Sequence, residues 1–364
     1  MQGKLRLGVM ALYLHGKKIE ERTYFRRLLR EAAKMNIDAY VFTPEDVEGR
    51  TRRILAHVYD FGHSVWRRRR VAFPDAVFDR CRYQRTPRFQ KLRQFRAKYP
   101  ELLYLNRPLA NKWVIHQLLS KDATIRSHLP DTEEYKGTVP LERFLKKHNV
   151  IFVKPVNGTG GRGVIRIEKA GQGMYLIRGR DKRRAIVKPR RLTLSGIGRW
   201  LEHIRLTDRC IMQQGIDLTM QSGRVHDYRL LMQKNDKGEW EATGCAGRVG
   251  AARSVTSNLH GGGRAVPMRQ LLQTTFGQTK KAEVIEAEIA SLGIRVVQRL
   301  DSHYKEMCEL ALDVAVDRQG KSWLLETNPK PARDVFRRIG DHEMYHKAII
   351  RPLQYAKWLH ASRR

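Results

Sequence analysis

Apolar positions along the chain follow two rhythms, and the switches between them lay out its elements. Leu5 to Leu14 is an apolar run of strand length, Glu20 to Met35 repeats apolar residues at helical spacing, and Ala39 to Thr43 is apolar again, which predicts a βαβ unit. Asp75 to Cys81 reads as another buried strand and Arg82 to Lys98 as a loop plus a helix, so an open α/β layer of about a hundred residues is expected to end near Tyr104 to Pro108. Helical spacing returns over Asn111 to Ser120 and Leu141 to His148. A strand, Val150 to Val156, then runs through a glycine-rich turn, Asn157 to Gly163, into an alternating strand, Val164 to Ile167. Met174 to Ile177, Ala185 to Val187 and Arg209 to Ile216 read as strands around a helix at Leu194 to Ile204. Asp227 to Lys234 and Trp240 to Val249 read as paired strands, and Asn258 to Gly263 as a loop. Ala282 to Tyr304 is a long helix, and the chain closes on a basic helix, His342 to Leu359.

The long helix feeds the most informative stretch, Glu309 to Arg333. Leu310 to Val316 is apolar and β-branched, Asp317 to Gly320 is turn chemistry, and Trp323 to Leu325 is apolar again, which predicts a hairpin. With the turn pairing Asp317 and Gly320, Asp313 stands opposite Leu324, and Glu326 is its diagonal neighbour at roughly 7 to 8 Å between Cα atoms. Asn328, two residues on, keeps the same face as Glu326. Two carboxylates and an amide suit Mg²⁺, which takes few protein oxygens and completes its octahedron with phosphate and water. The plain alternative is that Asp313 caps a strand and Glu326 solvates one, and a slip of one residue in register would separate the two carboxylates.

Lys154 on a strand that enters a glycine-rich turn is a second chemical signal. Glycines let backbone N–H groups approach anionic oxygens, and the lysine adds a positive charge. The pattern is neither a Walker A loop nor a dinucleotide-binding turn, both of which open a helix. A glycine-rich hairpin can also be only a hairpin.

Charge changes the picture further. The 71 Lys+Arg against 37 Asp+Glu give +34 and a pI near 10.5, a field that attracts polyanions without choosing among nucleic acid, anionic membrane, acidic polymer and phosphorylated ligand. The excess is clustered. Residues 51 to 100 carry 14 basic against 3 acidic side chains, and Arg178 to Arg191 carry 8 against 1. No nucleic-acid-binding motif accompanies these strips, which can also be read as solvated faces. Cys81, Cys210, Cys245 and Cys308 are widely spaced, which favours a reducing compartment, consistent with cytoplasmic synthesis. Lys4 to Leu14 opens like a signal peptide, but Lys17 and Lys18 follow early with no small-residue cleavage site, so a buried strand is expected. No stretch approaches the ~20 apolar residues of a membrane span.

The order of parts, from Lys112 and Lys154 through the glycine turn, Gln213-Gln214-Gly-Ile, Asp227-x-Arg229, Arg248 and Asn258 to Asp313 and Glu326-x-Asn328, resembles the ATP-grasp superfamily. The branch it resembles most is the endospore coat-associated YheC/YheD family, through FPDAVFDR, NKWVIHQLLSKDATIRSHLPDT, VKPVNGTGGRGV, QQGIDL, DYRLLMQKNDKGEW, SNLHGGG and LLETNPKPAR, over most of the chain. The resemblance implies an α/β (α+β ATP-grasp) fold. Residues 1–108 would form a pre-ATP-grasp α/β domain and 109–364 the ATP-grasp domain, with a lid subdomain at 121–212 and a metal-binding core at 213–364. Lys112 and Lys154 would hold the phosphates of ATP, with Gly160, Gly161 and Gly163 as a lid over them. The backbone from Ile211 to Ile216 would read adenine, with Gln213 or Gln214 near adenine or ribose. Gln stands there where many relatives have Glu, which puts the ribose contact in doubt. Asp313, Glu326 and Asn328 would hold Mg²⁺. Arg229, Arg248 and Asn258 would face the γ-phosphate or an acyl phosphate, and Arg333 the substrate carboxylate.

The activity so implied is an ATP-dependent carboxylate–amine ligase acting on an acidic small molecule, peptide or polymer, with association with the spore coat resting on resemblance alone. Two other readings stay open: a polyanion-binding scaffold that keeps the fold without the chemistry, and a small-molecule kinase. Arg229 and Arg248 can also be structural ion pairs, Arg333 can simply stiffen the loop after Pro329 and Pro331, and His116, His226 and His260 are assigned no role.

Overall fold

A computed structural model describes residues 4–14, 16–82, 86–158, 160–252, 254–257 and 259–362. Three sheets carry the chain. In the first, Arg6–Met10 lies between Asp38–Phe42 and Ala76–Asp79, parallel to both, and Leu103–Leu105 extends the parallel set. The predicted βαβ unit is therefore present. Leu7 and Val9 are fully buried, and helix Arg22–Lys34 lays Tyr24, Phe25, Leu28, Leu29 and Ala32 into the same core. The sheet also holds an antiparallel hairpin, Arg53–Asp60 with Val65–Ala72, that the hydrophobic pattern had hidden behind Arg67 to Arg70. Much of that basic run is spent within the fold. Arg68 turns inward to Asp46 at 2.6 Å, Arg67 meets Asp60 and Arg70 meets Glu48, while Arg22, Arg26 and Arg30, one helical face apart, stack over Trp66, Tyr59 and Phe61 at 5.5, 5.8 and 5.4 Å.

The second sheet is wholly antiparallel, in the spatial order Ile186–Thr193, Met174–Arg180, Ile165–Lys169, Val150–Pro155, Cys210–Gln214, Thr132–Glu134. Its strands alternate. Ile151, Val153, Ile165, Ile167 and Ile177 face helices Thr138–Lys147 and Leu194–His203, while Phe152, Lys154, Arg166 and Arg178 face a cleft.

The third sheet runs Arg264–Pro267, Trp240–Val249, His226–Lys234, Glu309–Val316, Ser322–Asn328, again antiparallel throughout. Helix Thr279–Tyr304 packs on one face against Leu310, Leu312, Val314 and Val316, and helix His342–Ser362 shares the other with Ala311 and the first sheet's helix. Burial on both faces explains why Glu309–Val316 reads as a continuous apolar run broken only by acids. A short helix, Met268–Phe276, was not expected from the sequence.

Charged side chains tie the first sheet to the third. Arg80, with a side chain shut off from solvent, bonds Glu309 at 2.6 Å and Glu21 at 2.9 Å, and Arg333 bonds the other oxygen of Glu309. Lys330 and Arg96 converge on the buried Asp79, whose carboxyl they hold below its usual range although burial alone would raise it. Among the described residues no helix is long and apolar enough to cross a membrane, and all four cysteines are free thiols.

Candidate functional site

A cleft of about 2120 Å³ opens between the second and third sheets and reaches the first. Its floor is one face of the third sheet. There Asp227 pairs with Arg248, Arg229 with Asp313 and Asp313 with Glu326 across neighbouring strands, so five charged residues share that face. The register differs from the sequence-based expectation. A bulge between Asp313 and Val314 pairs Val314 with Leu324 but Asp313 directly with Glu326, leaving Leu325 as the extra residue. In an unbroken strand Leu324 and Glu326 would point the same way. The bulge sends Leu324 into the core beneath the long helix and Glu326 to the cleft beside Asp313.

Asp313 accepts two bonds from Arg229, at 2.5 and 3.0 Å, and meets Arg248 at 3.1 Å. Burial raises its pKa, but the two guanidiniums outweigh burial and hold the carboxyl below its usual range. Arg248 in turn grips Asp227 through two bonds of 2.7 and 2.5 Å. Glu326, half-buried, faces Lys112 at 3.6 Å. Asn328 lines the same cleft, and its amide nitrogen is buried with no partner among the described residues. Exchanging the two amide positions places an oxygen there, so the set Asp313, Glu326 and Asn328 offers the hard donors that Mg²⁺ takes. Among the described residues no group of three or more His, Cys, Asp or Glu gathers for a metal, so this mixed set is the candidate.

The opposite wall comes from the second sheet. Lys154 bonds the Gln213 amide oxygen at 2.6 Å, and Gln213 is fixed by Thr132 at 3.2 Å. Burial pushes the Lys154 ammonium down to about 8; Glu326 opposes that shift and Lys112 adds to it. Lys112, first residue of helix Lys112–Leu119 behind an Asn111 cap, bonds the Gly158 carbonyl at 2.6 Å. Gly160, Gly161 and Gly163 all adopt left-handed backbone, φ +66°, +74° and +66°, which a side chain resists.

The structure thus brings Lys112, Lys154, Gly160, Gly161, Gln213, Ile216, Arg229, Arg248, Asp313, Glu326 and Asn328 to one cleft, with Gly163 packed behind them against Leu206 and Pro155. Two side chains point elsewhere than expected, and a third residue is not described. Arg333 is turned away from the cleft, 4% exposed, its guanidinium bonded to Glu309 and to the carbonyls of Ala348 and Pro331, the placement expected of the loop-stiffening reading rather than the substrate one. Gln214 borders the cleft, but its side-chain oxygen accepts the Asp131 N–H at 3.1 Å. Asn258 lies outside the described residues. Phe152 and Leu325 line the cleft without having been singled out. Phe152 was legible in principle, two residues before Lys154 on the same strand face; Leu325 was not, because its position depends on the bulge.

A family profile described as "YheC/D like ATP-grasp" matches residues 101–359. The chain belongs to that family. Among curated relatives of this ATP-grasp chain, the endospore coat-associated protein YheC of Bacillus subtilis (strain 168) is 28% identical over 359 residues, covering 97% of this chain and 95% of YheC. YheD of the same organism is 24% identical over 298 residues, 81% of this chain and 65% of YheD. Similar solved structures are the ATP-grasp ligase PsnB complexed with minimal precursor (TM-score 0.55, 14% identity, 96% of this chain and 99% of PsnB) and the D-cycloserine synthetase DcsG (TM-score 0.55, 12% identity, 96% and 99%). The fold of this YheC/D-like protein is therefore the α/β ATP-grasp fold.

Proposed function

We propose that the protein is an ATP-dependent carboxylate–amine ligase. The observation that carries this reading is the meeting, across one cleft, of Lys112 and Lys154 with Asp313, Glu326 and Asn328. Two lysines beside a left-handed glycine turn suit the nucleotide phosphates. Phe152 and Leu325 offer apolar surface to adenine. At the hinge the N–H groups of Gln214 and Gly215 are taken by Asp131 and Val150, and among the described residues none accepts that of Ile216, which leaves it for the base.

Mg²⁺ held by Asp313, Glu326 and Asn328 would offset negative charge on the phosphates. A substrate carboxylate oxygen attacks the γ-phosphorus, the bond to the bridging oxygen breaks, and ADP leaves. The amine then attacks the acyl carbon of the mixed anhydride, losing a proton as phosphate departs. Arg229 and Arg248 sit on the cleft floor, where cations stabilise the transferred group, and closure of the two sheets over it would exclude water. The substrate side joins charge to chemistry: at +34 the protein attracts polyanions, and of these an acidic peptide or polymer supplies the carboxylate that a ligase activates. PsnB, an ATP-grasp ligase of similar fold, is known in complex with a precursor peptide, which supports a peptide as the partner here. Kinship with YheC suggests that the product belongs to the spore coat.

The test is ADP and phosphate release screened over acidic peptides and amino acids, with product mass as the readout. Release is expected only with ATP, Mg²⁺ and both acceptors together. Glu326→Ala should abolish it while leaving the circular dichroism spectrum unchanged. A phosphorylated product with little free phosphate would replace the ligase with a kinase.

A further inference from the structure

We propose that Arg162, Arg180 and Arg184, beside the glycine turn of the second sheet, form a binding site for an oxyanion, either a phosphoryl or a carboxylate group. Arg162 and Arg184 line the cleft mouth. Arg180 stands behind them, donating to the Arg184 carbonyl at 3.2 Å and, across the cleft, to the Gly261 carbonyl of the third-sheet loop at 3.3 Å. The Arg184 guanidinium lies against Gly160 so closely that a Cβ there would come within 2.7 Å of Nη2. Bare backbone at the turn thus leaves room for the guanidinium.

What marks the cluster is the lack of a counter-charge. Among the described residues none of the three forms an ion pair, and the Arg184 Nε is buried without a hydrogen-bond partner. Asp181, the acid nearest in sequence, spends its Oδ1 on the backbone N–H groups of Arg183 and Ala185. Arg184 is accordingly held below the usual arginine range by burial and then by Arg162 and Arg180. By contrast Arg166 and Arg178, on the same sheet, share Glu168. Like charges gathered without an acid cost free energy until an anion joins them. Planar guanidiniums bind phosphate and carboxylate oxygens in pairs. Under the ligase reading the anion is either the terminal phosphate of the nucleotide or a carboxylate of the acidic acceptor, but the site itself rests on the arginines.

Two probes that need no nucleotide site, tripolyphosphate and a hexaglutamate peptide, distinguish the sources, each titrated calorimetrically into the full chain. Arg184→Gln is expected to weaken at least one of them tenfold or more, and the probe affected names the source. Arg183→Gln, an equal loss of charge at an exposed neighbour, should change neither by more than twofold. Equal effects of the two variants, or no effect of Arg184→Gln, would overturn the site. Unliganded Arg184→Gln should melt at the same temperature as wild type or higher in low salt; a clear fall would make the cluster structural and end the proposal. Failure of wild type to bind ADP would count against the ligase reading alone.

Discussion

Lys154 shows how one residue's surroundings set its chemistry. Among the described residues it hydrogen-bonds a neutral amide alone, so burial prevails and the ammonium is pushed down to about 8, where an arriving phosphate favours its charged form. The sign follows directly: above pH 8 the free protein holds Lys154 mostly neutral, a bound phosphate favours the charged form, and ADP binding should take up protons. Calorimetry at pH 8.5 in buffers of different ionisation enthalpy should show that uptake. Lys154→Met should lose it, with ADP affinity reduced about ten- to a hundredfold for the loss of a charged hydrogen bond. The lysine was legible in the sequence because a strand and glycines flanked it. Arg333 left two readings open for a related reason: an arginine after two prolines near a metal-binding motif suits a substrate or a loop equally, and only the fold reveals Glu309 waiting for it in the core.

At the scale of elements, the hairpin Glu309–Val316 with Ser322–Asn328 was foreseeable and its register was not. Alternation predicts which residues share a face, but a bulge resets the count, and no residue type in Leu324-Leu325-Glu326 announces one. The antiparallel pair at Arg53–Asp60 and Val65–Ala72 escaped for another reason: four consecutive arginines conceal a period of two, and only Asp46, Asp60, Glu48 and the aromatic rings show where each goes. The glycine turn was plainer, since its residues are needed for their backbone. Gly163 adopts φ +66°, and a Cβ there would meet Leu206 at 3.0 Å and Pro155 at 3.1 Å. Gly163→Ala should therefore destabilise the protein by about 1–2 kcal/mol from the left-handed backbone alone, read as a lowered midpoint in urea. An unchanged midpoint would mean that the turn relaxes freely.

For the whole molecule, the ionic junction among Arg80, Glu309, Arg333 and Glu21 holds the first sheet on the third. Glu309 is fully buried and accepts from Arg80, Arg333 and Gln233. Removing it strands two cations in the interior. Glu309→Ala should cost about 3–5 kcal/mol, measured by denaturant unfolding, whereas loss of the exposed pair between Arg52 and Glu101 should be barely detectable. Little of this junction was legible beforehand, because Glu21 and Arg80 stand more than two hundred residues before Glu309 and Arg333, and nothing local marks these charges as one another's partners.

The same junction limits how the chain can be shortened. Arg80 falls before residue 101, where the family match begins, while Glu309 and Arg333 fall inside it. A protein trimmed to 101–359 would keep an acid in its interior with half its answering charge gone, along with the apolar surface that helix Arg22–Lys34 covers. Such a fragment should be recovered from expression largely as insoluble material, and supplying residues 1–100 as a separate chain should rescue it.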